Sequence, residues 1–245
     1  MADSVLALQY GDAASAMKGT ESVETIETDD IRISFSTKGG VIKEVELKHF
    51  KTYAKKPEDR KPLKLIQPQY NNFNLNTTFN GQPLDLYSLF YSVQKTTQSD
   101  TTVLTFTANL GDGKTFVQRY AVPMSGYEIG YKLKGTGLDQ ALAGDQLTLQ
   151  WQHFMVNTEK SIKETRVQST INYYTEDDGF DELSARSNDT EREVLSTPTQ
   201  WISIKQKFFL AAIIARNDLR LLFDPGCLIV ERRAPRTGKG FEPAA

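Results

Sequence analysis

The sequence predicts an all-β protein, a large antiparallel sandwich with one or two short helices. Apolar residues recur at every second position in many runs along the chain, which is the period of a strand with one buried face. Glycine or asparagine stands where these runs turn back, because such residues adopt the backbone angles of tight turns. Stretches with the 3.6-residue period of a helix are few, so we expect strands to dominate the fold.

The amino-terminal residues 1–25 are predicted to form a linker. They are small and polar and have no regular period, which is typical of connecting segments. They contain only a four-residue apolar patch and no basic start, so the pattern of a secretory signal is missing. If the protein is exported, we expect the exporting segment to lie outside this chain.

The first hairpin is predicted around Gly39 and Gly40. Apolar and polar residues alternate over 31–36 and again over 41–48, and a glycine pair between two such runs is a hairpin signal. The alternative is a phosphate-binding loop formed by Lys38 and the two glycines. That chemistry needs a longer glycine pattern followed by a helix, and neither is present, so the sequence favours the turn.

Four further strands are predicted from the same alternation. These are the runs 73–79, 104–110, 127–133 and 147–151. The first of them ends at an Asn-Gly pair and the second at a Gly-Asp-Gly turn, and both sequences favour the positive φ of tight turns.

The acidic stretch 176–193 breaks this rhythm. It holds eight acidic residues against two arginines, so we predict a solvated loop or a short surface helix. A calcium loop set on Gly179 would require an acid at Tyr174 and a glutamate at Ala185. Neither position carries the required acidic residue, which excludes that type of calcium site.

The most hydrophobic window of the chain is 198–215. We predict a pair of core strands here, because Trp201, Phe208 and Phe209 would bury a large aromatic area. The alternative is an apolar surface for a partner or a membrane interface. In that alternative three cations would meet lipid headgroups: Lys205, Lys207 and Arg216.

Composition excludes several classes of function. The net charge of −2, from 29 basic and 31 acidic side chains, gives no reason to expect a nucleic-acid partner. Cys227 is the only cysteine, so neither an intrachain disulfide nor a thiolate metal cluster is possible. The longest uncharged apolar run, 208–215, has eight residues, against the roughly 20 that a membrane span requires.

Three segments resemble the large periplasmic domain of the YidC membrane protein insertase. They are "FSTKGGVIKEVELKHFKTY", "INYYTEDD" and "TPTQWISIKQKFFLAAIIA", and they occur in the order and at about the spacing of that family. The resemblance covers about 10–217. It implies a β-supersandwich similar to galactose mutarotase, with a linker at 1–25 and the domain at 26–217.

The resemblance also implies a function. The domain would be non-enzymatic and without a cofactor or metal, on the periplasmic face of the bacterial inner membrane. It would contact the Sec translocon and SecDF, chaperone nascent membrane proteins, and be attached through membrane helices absent from this chain. Five residues mark the family signature, as core or as partner surface: Trp201, Lys205, Gln206, Phe208 and Phe209.

Residues 218–245 depart from the family pattern. They are rich in arginine, proline and glycine and have no steady period. A truncation or a frameshift would each produce such a tail. If the closing strands of the sandwich are missing, we expect an exposed sheet edge and a tendency to aggregate.

Two functions of other classes compete with this reading. A mutarotase-like sugar-active enzyme would use His49 and His153 as acid and base, with Glu128 or Glu159 assisting. A carbohydrate-binding module would instead line a concave sheet face with exposed aromatic side chains, for which the candidates are Tyr127, Tyr131, Tyr173 and Tyr174.

Overall fold

A computed structural model describes most of the chain. It covers residues 2–138, 141–142, 147–186, 190–193, 195, 197–215 and 228–230. Two compact units are present, Met1–Lys160 and Ser161–Ala245. The sequence expectations for Arg216 and Cys227, and those for all of 218–245 except 228–230, lie outside the described residues.

The first unit consists mainly of strands. Its helical elements are α1 (Ala2–Tyr10) and three 3-10 helices at Gly11–Met17, Pro57–Asp59 and Leu86–Ser88. The strands described in it are β1 (Val23–Glu27), β2 (Ile31–Ser36), β3 (Val41–Lys51), β4 (Pro62–Ile66), β5 (Asn71–Phe79), β6 (Gln82–Asp85), β7 (Ser92–Gln98), β8 (Thr101–Asn109), β9 (Thr115–Pro123), β10 (Gly130–Thr136) and β11 (Thr148–His153).

These strands form three antiparallel sheets. The strand orders are β1-β2-β3-β4, β10-β9-β8-β7 and β11-β5-β6. Most neighbours in the sheets are also neighbours in sequence, as expected for strands joined by tight turns. The exception is β11, which pairs with β5 in a register that puts Trp151 opposite Phe73.

Aromatic side chains from two of these sheets meet in the core of the first unit. Phe35 on β2 packs against Tyr120 on β9 and Phe106 on β8, with ring centroids 4.9 Å and 6.2 Å apart. Phe35 and Phe106 are fully buried. Two sheets packed through alternating inward side chains form a sandwich.

Part of the segment predicted as a linker packs against the strands of the first unit. Ala13, Ala14 and Ala16, in the 3-10 helix, are buried. The Ala16 carbonyl accepts a hydrogen bond from the backbone N–H of Phe90, and Tyr10 donates its hydroxyl proton to the carbonyl of Pro83. Small side chains allow this close approach of the backbone. That residues 1–25 act as a linker in the protein stays a prediction.

The second unit is built on one four-stranded sheet. It contains α2 (Ile162–Val167) and the strands β12 (Thr170–Thr175), β13 (Gly179–Ser184), β14 (Glu191–Glu193), β15 (Thr199–Gln206), β16 (Phe209–Ile214) and β17 (Leu228–Val230). The main sheet has the order β13-β12-β15-β16, and β14 pairs with β17. Tyr173, Leu183 and Ile202 form the buried cluster on one face of the main sheet.

The all-β prediction is confirmed by this architecture. Strands make up most of the described residues, and the predicted runs 73–79 and 104–110 coincide with β5 and β8. Two local predictions are wrong. The acidic stretch 176–193 contains β13 and β14 in place of a loop or helix, because Leu183 is buried in the core cluster. The run 127–133 begins later than predicted, since β10 starts at Gly130.

Candidate functional site

A row of large side chains crosses the main sheet of the second unit on the face opposite its core cluster. Tyr174 lies opposite both Phe180 and Trp201, and Trp201 lies opposite Ile214. Residues directly opposite each other in antiparallel strands share a face, so these four, here called the aromatic row, extend over all four strands. The Trp201 ring lies 6.3 Å from that of Tyr174 and 6.0 Å from that of Phe180, centroid to centroid.

The two ends of the aromatic row are exposed. Phe180 on β13 is 56% exposed and Ile214 on β16 is 58% exposed. Leu210, which points to the same face of β16, is 53% exposed. A monomeric protein exposes single apolar side chains routinely, but a contiguous apolar set marks an interaction surface.

The signature residues lie in the hairpin formed by β15 and β16. Trp201 and Lys205 are on the face of the aromatic row, and Gln206 is paired with Phe209 next to the turn. Phe208 occupies the turn itself and is 67% exposed, in contrast to the expected core position. The Lys207 ammonium lies 4.9 Å from the centroid of the Phe208 ring.

The turn between β2 and β3 carries the glycine pair. Gly39 and Gly40 have φ angles of 84° and 58° and are buried. The N–H of Gly39 donates to the Leu89 carbonyl, while the carbonyls of Gly39 and Gly40 accept from Gln118 Nε2 at 2.7 Å and from the Tyr120 hydroxyl at 2.9 Å. Backbone groups occupied in this way stabilise the turn and do not form a phosphate cradle.

An open cleft of about 220 Å³ lies beside this turn. On one wall Glu21 accepts hydrogen bonds from Lys43 Nζ at 2.6 Å and from Ser36 Oγ at 2.9 Å, and the bond from Lys43 holds the pKa of Glu21 below its ordinary value. Tyr87 also lines the cleft, and its hydroxyl lies 3.2 Å from that of Tyr131. Burial raises the pKa of Tyr87 to about 12. These polar groups bond to one another, so we assign no ligand to the cleft.

The two histidines have different partners. His49 Nε2 lies 3.3 Å from Asp30 Oδ1 on an exposed surface. His153 Nδ1 lies 2.7 Å from Asn71 Oδ1, and burial lowers the pKa of His153 to about 4. The neutral imidazole is therefore the form present at pH 7, and Nδ1 donates to the amide oxygen of Asn71. The two imidazoles are thus engaged with different partners, Asp30 and Asn71, whereas sugar chemistry needs both of them directed at one sugar ring.

The tyrosines suggested for a carbohydrate-binding face do not share a face. Tyr127 precedes β10 and is exposed, whereas the hydroxyl of Tyr131 donates to Gln118 Oε1 at 2.7 Å. Tyr173 is buried in the core cluster of the second unit, and Tyr174 points to the opposite face of the same strand. Of the four, only Tyr174 belongs to the aromatic row.

In the part of the chain that the structure describes, no group of three or more His, Cys, Asp or Glu side chains is placed to hold a metal ion. The structure also contains, within its described ranges, no helix that is both long and apolar enough to cross a membrane.

The sequence singles out Trp201 and Tyr174, but it does not predict that they share a face with Phe180 and Ile214. Phe180 lies within the acidic stretch 176–193, where the many carboxylates favour the prediction of a solvated loop and not of a strand. For Ile214 the sequence predicts a core strand, because its neighbours are also apolar. One signal in the sequence could have revealed part of the row. Tyr174 and Phe180 flank a short turn next to Gly179, and residues spaced in this way lie opposite each other in a hairpin.

The comparisons with known proteins agree with the resemblance seen in the sequence. The family model for the YidC periplasmic domain matches residues 24–223. The membrane protein insertase YidC of Cytophaga hutchinsonii is 38% identical over 209 residues, which cover 85% of this chain and 33% of that protein. The insertase of the same name from Amoebophilus asiaticus is 31% identical over 216 residues, covering 86% of this chain and 35% of that protein.

A more distant relative shows the same pattern of coverage. The membrane protein insertase YidC of Chlorobaculum parvum is 26% identical over 226 residues, 88% of this chain and 37% of that protein. The chain thus spans about a third of the length of the curated relatives it matches. They are named as insertases and not as enzymes, in agreement with the prediction of a non-enzymatic chain. With a family match over most of its length, the chain belongs to the YidC periplasmic domain family.

Proposed function

We propose that this chain is the periplasmic domain of a YidC-type insertase on the periplasmic face of the bacterial inner membrane. Its role is accessory to the insertion and folding of inner-membrane proteins. The observation that carries the proposal is the family match over residues 24–223, supported by relatives named as membrane protein insertases. Insertion itself, as an activity of the whole protein, belongs to the same proposal.

The partners in this proposal are the Sec translocon, SecDF and nascent membrane proteins. A domain with an accessory role needs a surface that another polypeptide can recognise. The hairpin of β15 and β16 supplies one, because Phe208 and Leu210 are exposed apolar side chains close to its turn. Aromatic side chains are enriched in the central part of protein interfaces, which favours this hairpin as the partner surface.

A direct binding measurement tests the proposal. The 245-residue chain is immobilised, and detergent-solubilised Sec translocon and SecDF are passed over it in a surface plasmon resonance experiment. We expect saturable binding to at least one of the two complexes. The proposal is wrong if neither complex binds at micromolar concentrations.

Two substitutions then locate the partner surface. Phe208→Ser removes an exposed aromatic side chain of the signature hairpin, and Phe50→Ser removes an exposed aromatic side chain of β3 in the first unit. We expect Phe208→Ser to weaken binding of the Sec components by about tenfold, as for a residue at the centre of an interface. Phe50→Ser should leave the binding unchanged, and equal effects of both would contradict the assignment to the hairpin.

A further inference from the structure

The connection from β3 to β4 in the first unit is strongly cationic. Residues 51–61, here called the cationic loop, begin at the last residue of β3 and end just before β4. They contain five basic side chains and two acidic ones, a net formal charge of +3, within a chain of net charge −2. The basic residues are Lys51, Lys55, Lys56, Arg60 and Lys61.

The five cations of this loop are exposed. None of them forms an ion pair with a carboxylate of the residues that the structure describes. The lysines on either side differ in this respect, because Lys48 pairs with Glu27 at 3.1 Å and Lys64 pairs with Glu44 at 2.7 Å. The charge of the loop is therefore available to an anionic partner.

Backbone hydrogen bonds hold the cationic loop in one conformation. The N–H of Thr52 donates to the Lys61 carbonyl at 2.8 Å, and the N–H of Lys61 donates to Thr52 Oγ1 at 3.2 Å. These two bonds close the base of the loop. Its tip contains the 3-10 helix Pro57–Asp59, in which the N–H of Arg60 donates to the Pro57 carbonyl.

Exposed aromatic and apolar side chains accompany these charges. Tyr53 lies in the loop and is 43% exposed, and Phe50, one residue before the loop, is 39% exposed. The N–H of Tyr53 donates to the Thr158 carbonyl at 2.8 Å, which brings the segment after β11 beside the loop. That segment carries two further exposed apolar side chains, Phe154 and Met155.

This combination of side chains matches an anionic membrane surface. A cluster of four or more lysines and arginines is attracted to anionic lipid headgroups, and aromatic rings favour the boundary between water and the acyl chains. A nucleic acid would also attract the cations, but surfaces that bind it are more widely basic and more polar. Here the basic excess is confined to residues 51–61, and apolar side chains lie beside it.

We propose that the cationic loop binds the anionic headgroups of a phospholipid bilayer, with the ring of Tyr53 at the level of the headgroups. The contact holds the first unit against the membrane surface. The proposal rests on the proposed function, because a domain on the periplasmic face of the inner membrane stays close to a bilayer. It adds lipid as a partner and leaves the hairpin of β15 and β16 to protein partners.

Flotation of the complete 245-residue chain with unilamellar vesicles tests lipid binding. One set of vesicles contains equal parts of phosphatidylglycerol and phosphatidylcholine, and the other contains phosphatidylcholine alone. At about 50 mM NaCl we expect binding to the anionic vesicles and at least tenfold weaker binding to the neutral ones. Raising the salt to about 500 mM should weaken the binding at least tenfold, because salt screens exposed charges.

A pair of double variants locates the binding surface. Lys55→Glu with Lys56→Glu reverses two charges of the cationic loop, and we expect it to weaken binding to the anionic vesicles at least tenfold. Lys132→Glu with Lys134→Glu is the matched control, since it reverses two exposed charges on β10 and changes the net charge by the same amount. The control should bind within about threefold of the wild type. Circular dichroism verifies that each variant is folded.

A second pair of variants tests the aromatic contribution. Tyr53→Ser removes the ring in the loop, and Tyr127→Ser removes a 55% exposed ring just before β10. We expect Tyr53→Ser to weaken binding to the anionic vesicles about threefold and Tyr127→Ser to leave it unchanged. Equal affinities of these two variants would contradict the position of Tyr53 at the headgroups.

Three outcomes would overturn the lipid-binding surface as a whole. The chain does not float with the anionic vesicles, or the two double variants bind them equally well, or a DNA oligonucleotide binds the chain more tightly than the vesicles do. The last result would assign the loop to nucleic acid. Failure here with intact binding to the Sec components leaves the proposed function standing, whereas loss of Sec binding alone removes that function and not the lipid surface.

Discussion

Trp201 stacks on Tyr174 across the β12–β15 pair, with ring centroids 6.3 Å apart and ring planes inclined by 25°. This contact joins the signature hairpin to the hairpin of β12 and β13, because the Phe180 ring on β13 also lies 6.0 Å from that of the same tryptophan. Aromatic pairs of this geometry contribute about 0.5–1.5 kcal/mol beyond the area they bury. Trp201 therefore holds the aromatic row together.

Replacing Trp201 by alanine should destabilise the second unit. The half-buried indole contacts both Tyr174 and Phe180, so we expect Trp201→Ala to lower the free energy of unfolding by about 2 kcal/mol. Trp201→Phe retains one ring and should lose less than half of that. Phe208→Ala removes an exposed ring and should cost less than about 1 kcal/mol. Urea denaturation measures all three, and equal losses for Trp201 and Phe208 would contradict this assignment.

Gly40 should tolerate no side chain. An added Cβ would lie 2.7 Å from Gln118 Nε2 and 3.2 Å from Phe106 Cβ, at a φ of 58°. We expect Gly40→Ala to lower the free energy of unfolding by about 2–4 kcal/mol, from overpacking together with left-handed backbone strain. Gly113→Ala is the control, because its φ of 72° is similar but nothing lies within 4 Å of the added Cβ. Its cost should be about 1 kcal/mol, and thermal denaturation compares the two variants.

Burial of His153 should make stability depend on pH. Burial lowers the folded-state pKa of His153 to about 4, against an ordinary value of 6.5, so the unfolded chain binds the proton first as the pH falls. Stability is then fully present above about pH 6.5 and declines towards pH 4, by at most about 3 kcal/mol. His153→Gln should flatten this part of the profile.

The matched control for that titration is His49→Gln, which changes an exposed histidine and should keep the wild-type slope. Denaturant midpoints measured between pH 4 and pH 8 give the comparison. An unchanged slope in His153→Gln would show that other groups determine the acid sensitivity.

The amino-terminal segment should prove to be part of the folded first unit. Ala13 is 1% exposed, so Ala13→Asp would bury a carboxylate that has no partner of opposite charge. We expect this change to lower the free energy of unfolding by several kcal/mol or to release the segment from the fold. Ser15→Asp changes an exposed neighbour and should have little effect. Hydrogen exchange of residues 11–17 distinguishes the two variants, and equal protection in both would contradict the packing of this segment.

Alternation was sufficient to predict strands whose residues face a core on one side. β5 and β8 lie within a few residues of their predicted positions. In both strands apolar residues recur at every second position, and they include the buried Leu75 and Phe106. The alternation of apolar and polar residues did not predict β13, where Leu183 points to the core and Phe180 to the opposite face. Two apolar residues on different faces of a six-residue strand leave no period to detect.

The aromatic row could not be predicted from the sequence, because it depends on strand register. A one-residue slip moves every side chain to the other face of a sheet, and the pairing of β12 with β15 shifts between Tyr174 and Thr175. The opposition of Tyr174 to Trp201 follows from that register. The family resemblance located the hairpin that contains Trp201 but gave no information about which face its side chains occupy.

The most direct test of the proposed partner surface is hydrogen exchange of the complete chain with and without the Sec component that binds it. A bound partner protects the amides that it covers. We expect exchange to slow in β15 and β16 and to stay unchanged in β1. Binding with no slowing in the hairpin of β15 and β16, or with equal slowing in β1, would contradict the assignment of the partner surface to this hairpin.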